Sequence, residues 1–166
     1  SMLLPAEEVA LLFKLHCALM QFVNEQLKVF DVPESLTPYA ALPPEKRHQV
    51  VQAFVGRLDL IDAFIEANPA RLSREELEII SSWRHLVSGR FIALRQLKKH
   101  MILLACHGTP TAYGLVGLVD PIDRVIPNPL PAMIETVLLP FRGKITYDAI
   151  INSFNVMFGP GSRGAF

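Results

Sequence analysis

Apolar residues recur at helical spacing through the first half of the chain and gather into short strand-like runs through the second. The most apolar helix candidate, 5–30, carries Lys14, His16, Gln21, Asn24 and Glu25 and reads as a buried helix. After Pro43-Pro44, the residues Val50, Val51, Phe54, Leu58, Ile61, Phe64 and Ile65 recur at spacings of three and four. They lay one stripe along a single helix, with Arg57, Asp59, Asp62 and Glu66 mostly opposite. Pro44 suits a first turn, and Asn68-Pro69 ends the run. Ser73 and Glu76 of SREE stand at capping-box spacing, which predicts a third helix running toward Trp83.

Beyond Trp83 the period changes. GRFIALRQ, KHMILLAC, TAYGLVGLV, AMIETVLL and KITYDAI are rich in β-branched and large apolar residues and are separated by glycine, proline or polar turns. Gly108-Thr109-Pro110 marks one turn. Asp120–Pro131 is a longer loop whose PNPLP run lacks PxxP spacing. In ETVLLPFRGKITYD, residues 135–148, PFRG joins two strands, with Gly143 taking the φ > 0 position of a three-residue hairpin loop. Ile145 and Tyr147 share one face of the second strand, and Lys144, Thr146 and Asp148 the other.

These patterns predict an α+β fold. About three helices over 2–80 precede a mostly antiparallel sheet of about five strands over 81–166, curled toward a small barrel and sharing one core with the helices. A length of 166 residues suits this size, and 51% hydrophobic with 19% charged residues excludes a disordered chain. The mean hydropathy of +0.31 invites a search for membrane spans. The longest uncharged stretch of 5–30, Leu15 to Asn24, covers about half of the ~20 residues a span needs. Ser1 ahead of Met2 reads as an expression remnant, and no basic leader precedes Glu7 and Glu8, so no secretory signal is expected. Cys17 and Cys106 are too few for a disulfide scaffold. Reduced core thiols in a cytoplasmic protein are the expectation.

Charge is balanced overall but not along the chain. Residues 1–78 hold 12 acidic and 7 basic side chains, and residues 79–166 hold 4 and 9. Between Glu78 and Asp120 no carboxylate occurs, while Arg84, Arg90, Arg95, Lys98 and Lys99 do. With Trp83, Phe91 and Tyr113 nearby, this strip suits a single-strand nucleic-acid binder, which neutralises phosphate and stacks bases. Alternatively, it is a docking surface for acidic helices, within the chain or across a dimer. A sequence pI near 6.9 favours the second reading.

The segments RLSREELEIISSWRHLVSGRFIALRQLKKHMILL, AYGLVGL, LLPFRGKITYD and FNVMFGPGSRG, in this order, resemble a family of uncharacterised prokaryotic proteins. It shares a Trp-centred segment, a Tyr-Gly strand, an LLPF-x-GKI-x-YD hairpin and a glycine-rich Phe-Gly turn. The resemblance covers roughly residues 70 to 164 and implies no activity.

No other motif carries chemistry. Adjacent His16-Cys17 and Cys106-His107 point apart, and no CxxC or HxxxH spacing chelates a metal from one element. No GxSxG elbow is present. Asp120 and Asp123, Asp59 and Asp62, and Tyr147-Asp148 are paired without an orienting third group. FGPGSRG lacks the lysine of a phosphate loop. No catalytic, metal or cofactor residue is therefore expected. The reading favoured is a non-enzymatic interaction module that self-associates or binds another protein. Nucleic-acid binding through 84–99 is the alternative, and an enzyme whose Asp120, Asp123 or Asp148 converge only in the fold is the second alternative.

Overall fold

The computed structural model describes residues 2–126 and 129–154. The FGPGSRG run and Pro127-Asn128 of the proline loop lie outside the described residues. The chain divides into two compact units: residues 10–84, and residues 1–9 with 85–166.

The first unit is helical. It holds most of α1 (Ala6–Leu27), with α2 (Pro44–Val55), α3 (Leu60–Ala67) and α4 (Arg74–Ser82). Leu12, Leu15, Leu19 and Val23 recur at helical spacing on α1 and are fully buried, as are Phe54, Ile61, Phe64, Ile80 and Trp83 of the same unit. Phe22 meets Phe64 edge-on, with ring centroids 5.5 Å apart.

The single helix expected after Pro44 is two. The apolar stripe continues through both, but α2 stops at Gly56, a poor helix former. The Arg57 guanidinium then closes on Asp59 through two bonds of 2.9 and 3.0 Å. Its carboxylate is thus occupied and leaves the start of α3 uncapped by a side chain. Asn68 ends α3 in the left-handed region and exchanges two hydrogen bonds with the Leu72 backbone. The capping box forms as its spacing predicts: the Glu76 N–H donates to Ser73 Oγ at 3.2 Å and the Ser73 N–H to Glu76 Oε1 at 2.9 Å.

The second unit contains β1 (Val87–Gln96), β2 (Met101–Ala105), β3 (Ala112–Leu115), α5 (Ile122–Val125), β4 (Ala132–Phe141) and β5 (Lys144–Ser153). The strands close a ring in the order β1-β2-β3-β5-β4, with β4 returning to β1. Every pairing is antiparallel except β3 with β5, which meet in parallel at Leu115 and Ile145. The expectation of five mostly antiparallel strands holds, and the helix count is four before the sheet with a fifth short helix inside it. Phe91, Ala93, Leu103 and Ile134 share the inner face through their pairings and are 1% exposed or less.

Three features of this unit were not expected. Phe141 pairs directly with Lys144, so the hairpin loop is Arg142-Gly143 alone, with φ of 47° and 79° at its two residues. Positive φ at both is the mark of a type I′ turn, whose twist matches that of the flanking strands. Next, β3 ends at Leu115 because the chain beyond it pairs with the N-terminus instead. The Gly117 N–H donates to Met2 O at 3.1 Å, and the Leu4 N–H to Gly117 O at 3.0 Å. Finally, β5 carries Asp148, Ala149 and Ile150 against the single β4 residue Val137, and Ala149 takes φ 75°. Such a bulge re-aims side chains at a strained backbone position. Val137, Leu138 and Leu139 are buried in succession, which accounts for the apolar run of the hairpin.

Candidate interaction surfaces

The five cations of the basic strip divide between the two units. Arg84 lies in the 3₁₀ turn Trp83–His85 that follows α4, and its guanidinium bonds the Asp62 carboxylate and the Ser81 hydroxyl. Arg90, Arg95, Lys98 and Lys99 belong to β1 and the turn after it. Arg90 lies 3.6 Å from the Glu135 carboxylate across the β1–β4 pair and 4.7 Å from the centre of the Phe154 ring. Arg95, Lys98 and Lys99 are exposed and make no ion pair among the described residues.

Odd and even positions on one strand ordinarily face opposite ways, which would separate Arg90 from Arg95. A bulge between Ala93 and Arg95 removes that separation. Ala93 pairs with Leu103 and Arg95 with Ile102, so one extra residue shifts the parity of β1. Arg95 then stands on the same outer face as Arg90 and Ile92. The aromatics go the other way. Phe91 and Tyr113 belong to the inner face by register and meet edge-on at 6.0 Å. Trp83 is fully buried in the helical unit, 6.1 Å from the His16 ring. The strip therefore offers charge to a phosphate backbone, but its aromatics do not offer their faces to bases.

Histidines and cysteines are equally dispersed. Among the described residues, no group of three His, Cys, Asp or Glu side chains could hold a metal ion. His16 is half-buried between Tyr39 and Trp83, and desolvation lowers its pKa to about 4, so the ring stays neutral near neutrality. Both cysteines are free. Cys17 is half-buried, but Cys106 is exposed, contrary to the expected core thiol. It follows the last residue of β2, where the strand's burial has already ended. Partial desolvation raises its pKa, and the Arg90 charge works against that.

The carboxylates stand in different surroundings. Asp59 and Asp62 are committed to Arg57 and Arg84. Asp120 and Asp123 are exposed, whereas Asp148 is buried at the β5 bulge. Burial pushes the Asp148 pKa up to about 7, and the backbone N–H of Ile150 only partly offsets this. Tyr147 rises to about 12, first by burial and then by the negative charges of Asp120 and Asp148. Asp148 Oδ2 is enclosed and has no hydrogen-bond partner among the described residues. This carboxyl is a buried group that keeps its proton to higher pH than an ordinary aspartate.

The exposed apolar side chains were not anticipated. Val32 is 72% and Leu36 78% exposed, in the segment DVPESLTP between α1 and α2. That segment is braced from within: the N–H groups of Ser35, Leu36 and Thr37 donate to the carbonyls of Asp31, Pro33 and Glu34 at 3.0, 3.0 and 3.1 Å. The Thr37 hydroxyl adds a bond to Pro33 O at 3.3 Å. The loop thus holds two aliphatic side chains out into water instead of folding them away. Leu97, 40% exposed, stands between Arg95 and Lys98 at the β1–β2 turn. The available signal was an apolar residue on each side of a proline in an otherwise polar, acidic segment, with no helical or strand period to bury it.

Among the described residues, no helix is long and apolar enough to cross a membrane. Comparison with protein-family models, with curated proteins and with solved structures finds no match for this chain.

Proposed function

We propose that this protein is a cytoplasmic, non-enzymatic interaction module that works by binding protein, either a second copy of itself or another chain. The observation that carries this reading is the braced 31–37 loop, which keeps Val32 and Leu36 largely in water. Holding aliphatic side chains in solvent forgoes the gain of burying them, about 1.5–3 kcal/mol each. A loop stiffened in that state loses little further freedom on binding, and such exposed apolar groups are the usual anchors of interfaces. Two free thiols fit a reducing compartment.

The experiment is light scattering across a concentration series, joined to photo-crosslinking from position 36 in cell extract. A rising mass, or one discrete crosslinked species that disappears in Val32→Ser, supports the module. A monomer at every concentration that also yields no discrete crosslink would remove it.

A second reading rests on the β1 bulge, which puts Arg95 on the same face as Arg90, with Lys98 and Lys99 in the turn that follows β1. It is binding of a nucleic-acid backbone without base stacking. Fluorescence anisotropy with random single-stranded RNA and DNA tests it: binding must weaken steeply with salt and fail in the Arg95→Ala/Lys98→Ala/Lys99→Ala protein.

A further inference from the structure

We infer that the 31–37 loop of one copy docks on the 95–99 turn of a second copy, so that the protein associates head to tail. The inference rests on the interaction-module reading and names its partner.

Two exposed patches of the same build but opposite sign carry it. The loop presents Val32 and Leu36 beside Asp31 and Glu34, and neither acid has an ion pair among the described residues. The turn presents Leu97 between Arg95 and the pair Lys98-Lys99, which are likewise unpaired among the described residues. Other exposed charges are matched, as Arg57 is with Asp59, Arg84 with Asp62, Arg74 with Glu78 and Arg90 with Glu135, while some, such as Lys28 and Glu66, stand apart from these exposed aliphatic groups. Val119 is exposed as well, beside Asp120, but the loop and the turn are the two segments that pair exposed aliphatic carbon with charges of opposite sign.

Charge decides the symmetry. A two-fold dimer through the loop would set Asp31 and Glu34 against their own copies, and one through the turn would oppose three cations to three cations. Like charges brought together in a desolvating contact disfavour both arrangements. Loop against turn instead matches two acids to three cations around an apolar centre. The chain's formal net charge of zero adds no repulsion between whole copies. A heterologous contact of this kind leaves one loop and one turn unused at the ends of any open assembly, so it continues into a ring or a filament.

Two variants and their mixture test this by light scattering at low and high salt. The first is Val32→Ser/Leu36→Ser and the second Lys98→Glu/Lys99→Glu. All four positions are exposed, and circular dichroism checks that each variant folds. The wild type is expected to gain mass with concentration, less so at high salt, and each variant alone to stay monomeric. Mixing the two variants is expected to restore association that stops at the dimer, because each supplies one intact patch and one ruined one. A mixture that stays monomeric while the wild type associates overturns the loop-to-turn assignment. Association that survives in both variants overturns it too, but leaves self-association standing. A wild type that is monomeric even at low salt overturns the inference, and leaves only the crosslinking experiment to decide for another protein partner.

Discussion

The Ile150 N–H reaches Asp148 Oδ1 at 3.4 Å across Ala149, whose φ is 75°, a long hydrogen bond to the buried carboxyl. Its other oxygen has no hydrogen-bond partner among the described residues. A carboxylate in this position would be charged, desolvated and almost unsupported, which is why its pKa is pushed up to about 7. Tyr147 and Asp120, the titratable neighbours acting on the same stretch of β5, bring no positive charge to relieve it.

Stability of the ring is therefore expected to fall with rising pH. The folded state holds the Asp148 proton more tightly than the unfolded chain, whose ordinary value is 3.8. The contribution is complete below about pH 4, is lost as pH climbs toward about 7, and is level above that. Asp148→Asn has no proton to lose. Its stability relative to wild type should improve steadily between about pH 4 and about pH 7 and then stay constant. Denaturant midpoints followed by circular dichroism read this difference; parallel curves for the two proteins would mean that Asp148 is ionised in the fold.

The helical unit is expected to respond in the opposite direction. His16, beside Tyr39 and Trp83, has a pKa lowered by desolvation from 6.5 to about 4. The unfolded chain takes up that proton first, so stability is full above about pH 6.5 and declines as pH falls toward about 4. Trp83 is the chain's single tryptophan and is fully buried, so its fluorescence follows this unit. His16→Leu should flatten the acid side of the Trp83 unfolding curve. An unchanged acid slope would show that the imidazole is already solvated in the folded state.

The contrast between these two residues shows what a sequence discloses. The five strands, the capping box at Ser73 and Glu76, and the helical character of the first 80 residues follow from period and spacing, which are local. The break between α2 and α3 was hidden because the stripe from Val50 to Ile65 keeps its period across Gly56–Asp59, where Gly56 stops α2 and Arg57 takes up the Asp59 carboxylate. Arg95 could not be assigned a face because the extra residue near Ala93 changes the parity of β1 without any mark in the sequence. The hairpin was placed correctly, but PFRG does not reveal that Arg142, like Gly143, takes positive φ. Asp148 looked like a residue on an alternating strand and is instead enclosed by a bulge. Val32 and Leu36 drew no notice because burial is the ordinary fate of aliphatic residues.

At Gly117 close packing fixes the residue. A Cβ there would lie 2.8 Å from Leu3 Cδ2 and 3.0 Å from the Asp120 carbonyl oxygen. The leucine can swing away, but the carbonyl belongs to backbone and yields less readily. Gly117→Ala should destabilise the ring by roughly 1–3 kcal/mol, the usual cost of overpacking. Amide exchange at Leu4, whose N–H donates to Gly117 O, should quicken more than exchange at Leu103. Equal protection of Leu4 in both proteins would show that the N-terminal pairing does not depend on this contact.

Gly143 separates backbone strain from lost space. Its φ is 79°, and nothing lies within 4 Å of where a Cβ would sit, so substitution meets no clash. Only the left-handed backbone is penalised, by roughly 1–2 kcal/mol for an ordinary L-residue. Gly143→Ala should therefore lower the unfolding free energy by that amount, read as a lower urea midpoint with no change in slope. Gly143→Asn should lose clearly less, because asparagine tolerates the left-handed region. The Lys144 and Arg142 side chains, 3.7 and 3.9 Å from Glu8, remain in place in both variants and contribute equally to the comparison. If alanine and asparagine cost the same, the two-residue type I′ turn is not what holds β4 to β5. The register of the hairpin would then rest on the buried run from Val137 to Leu139 alone.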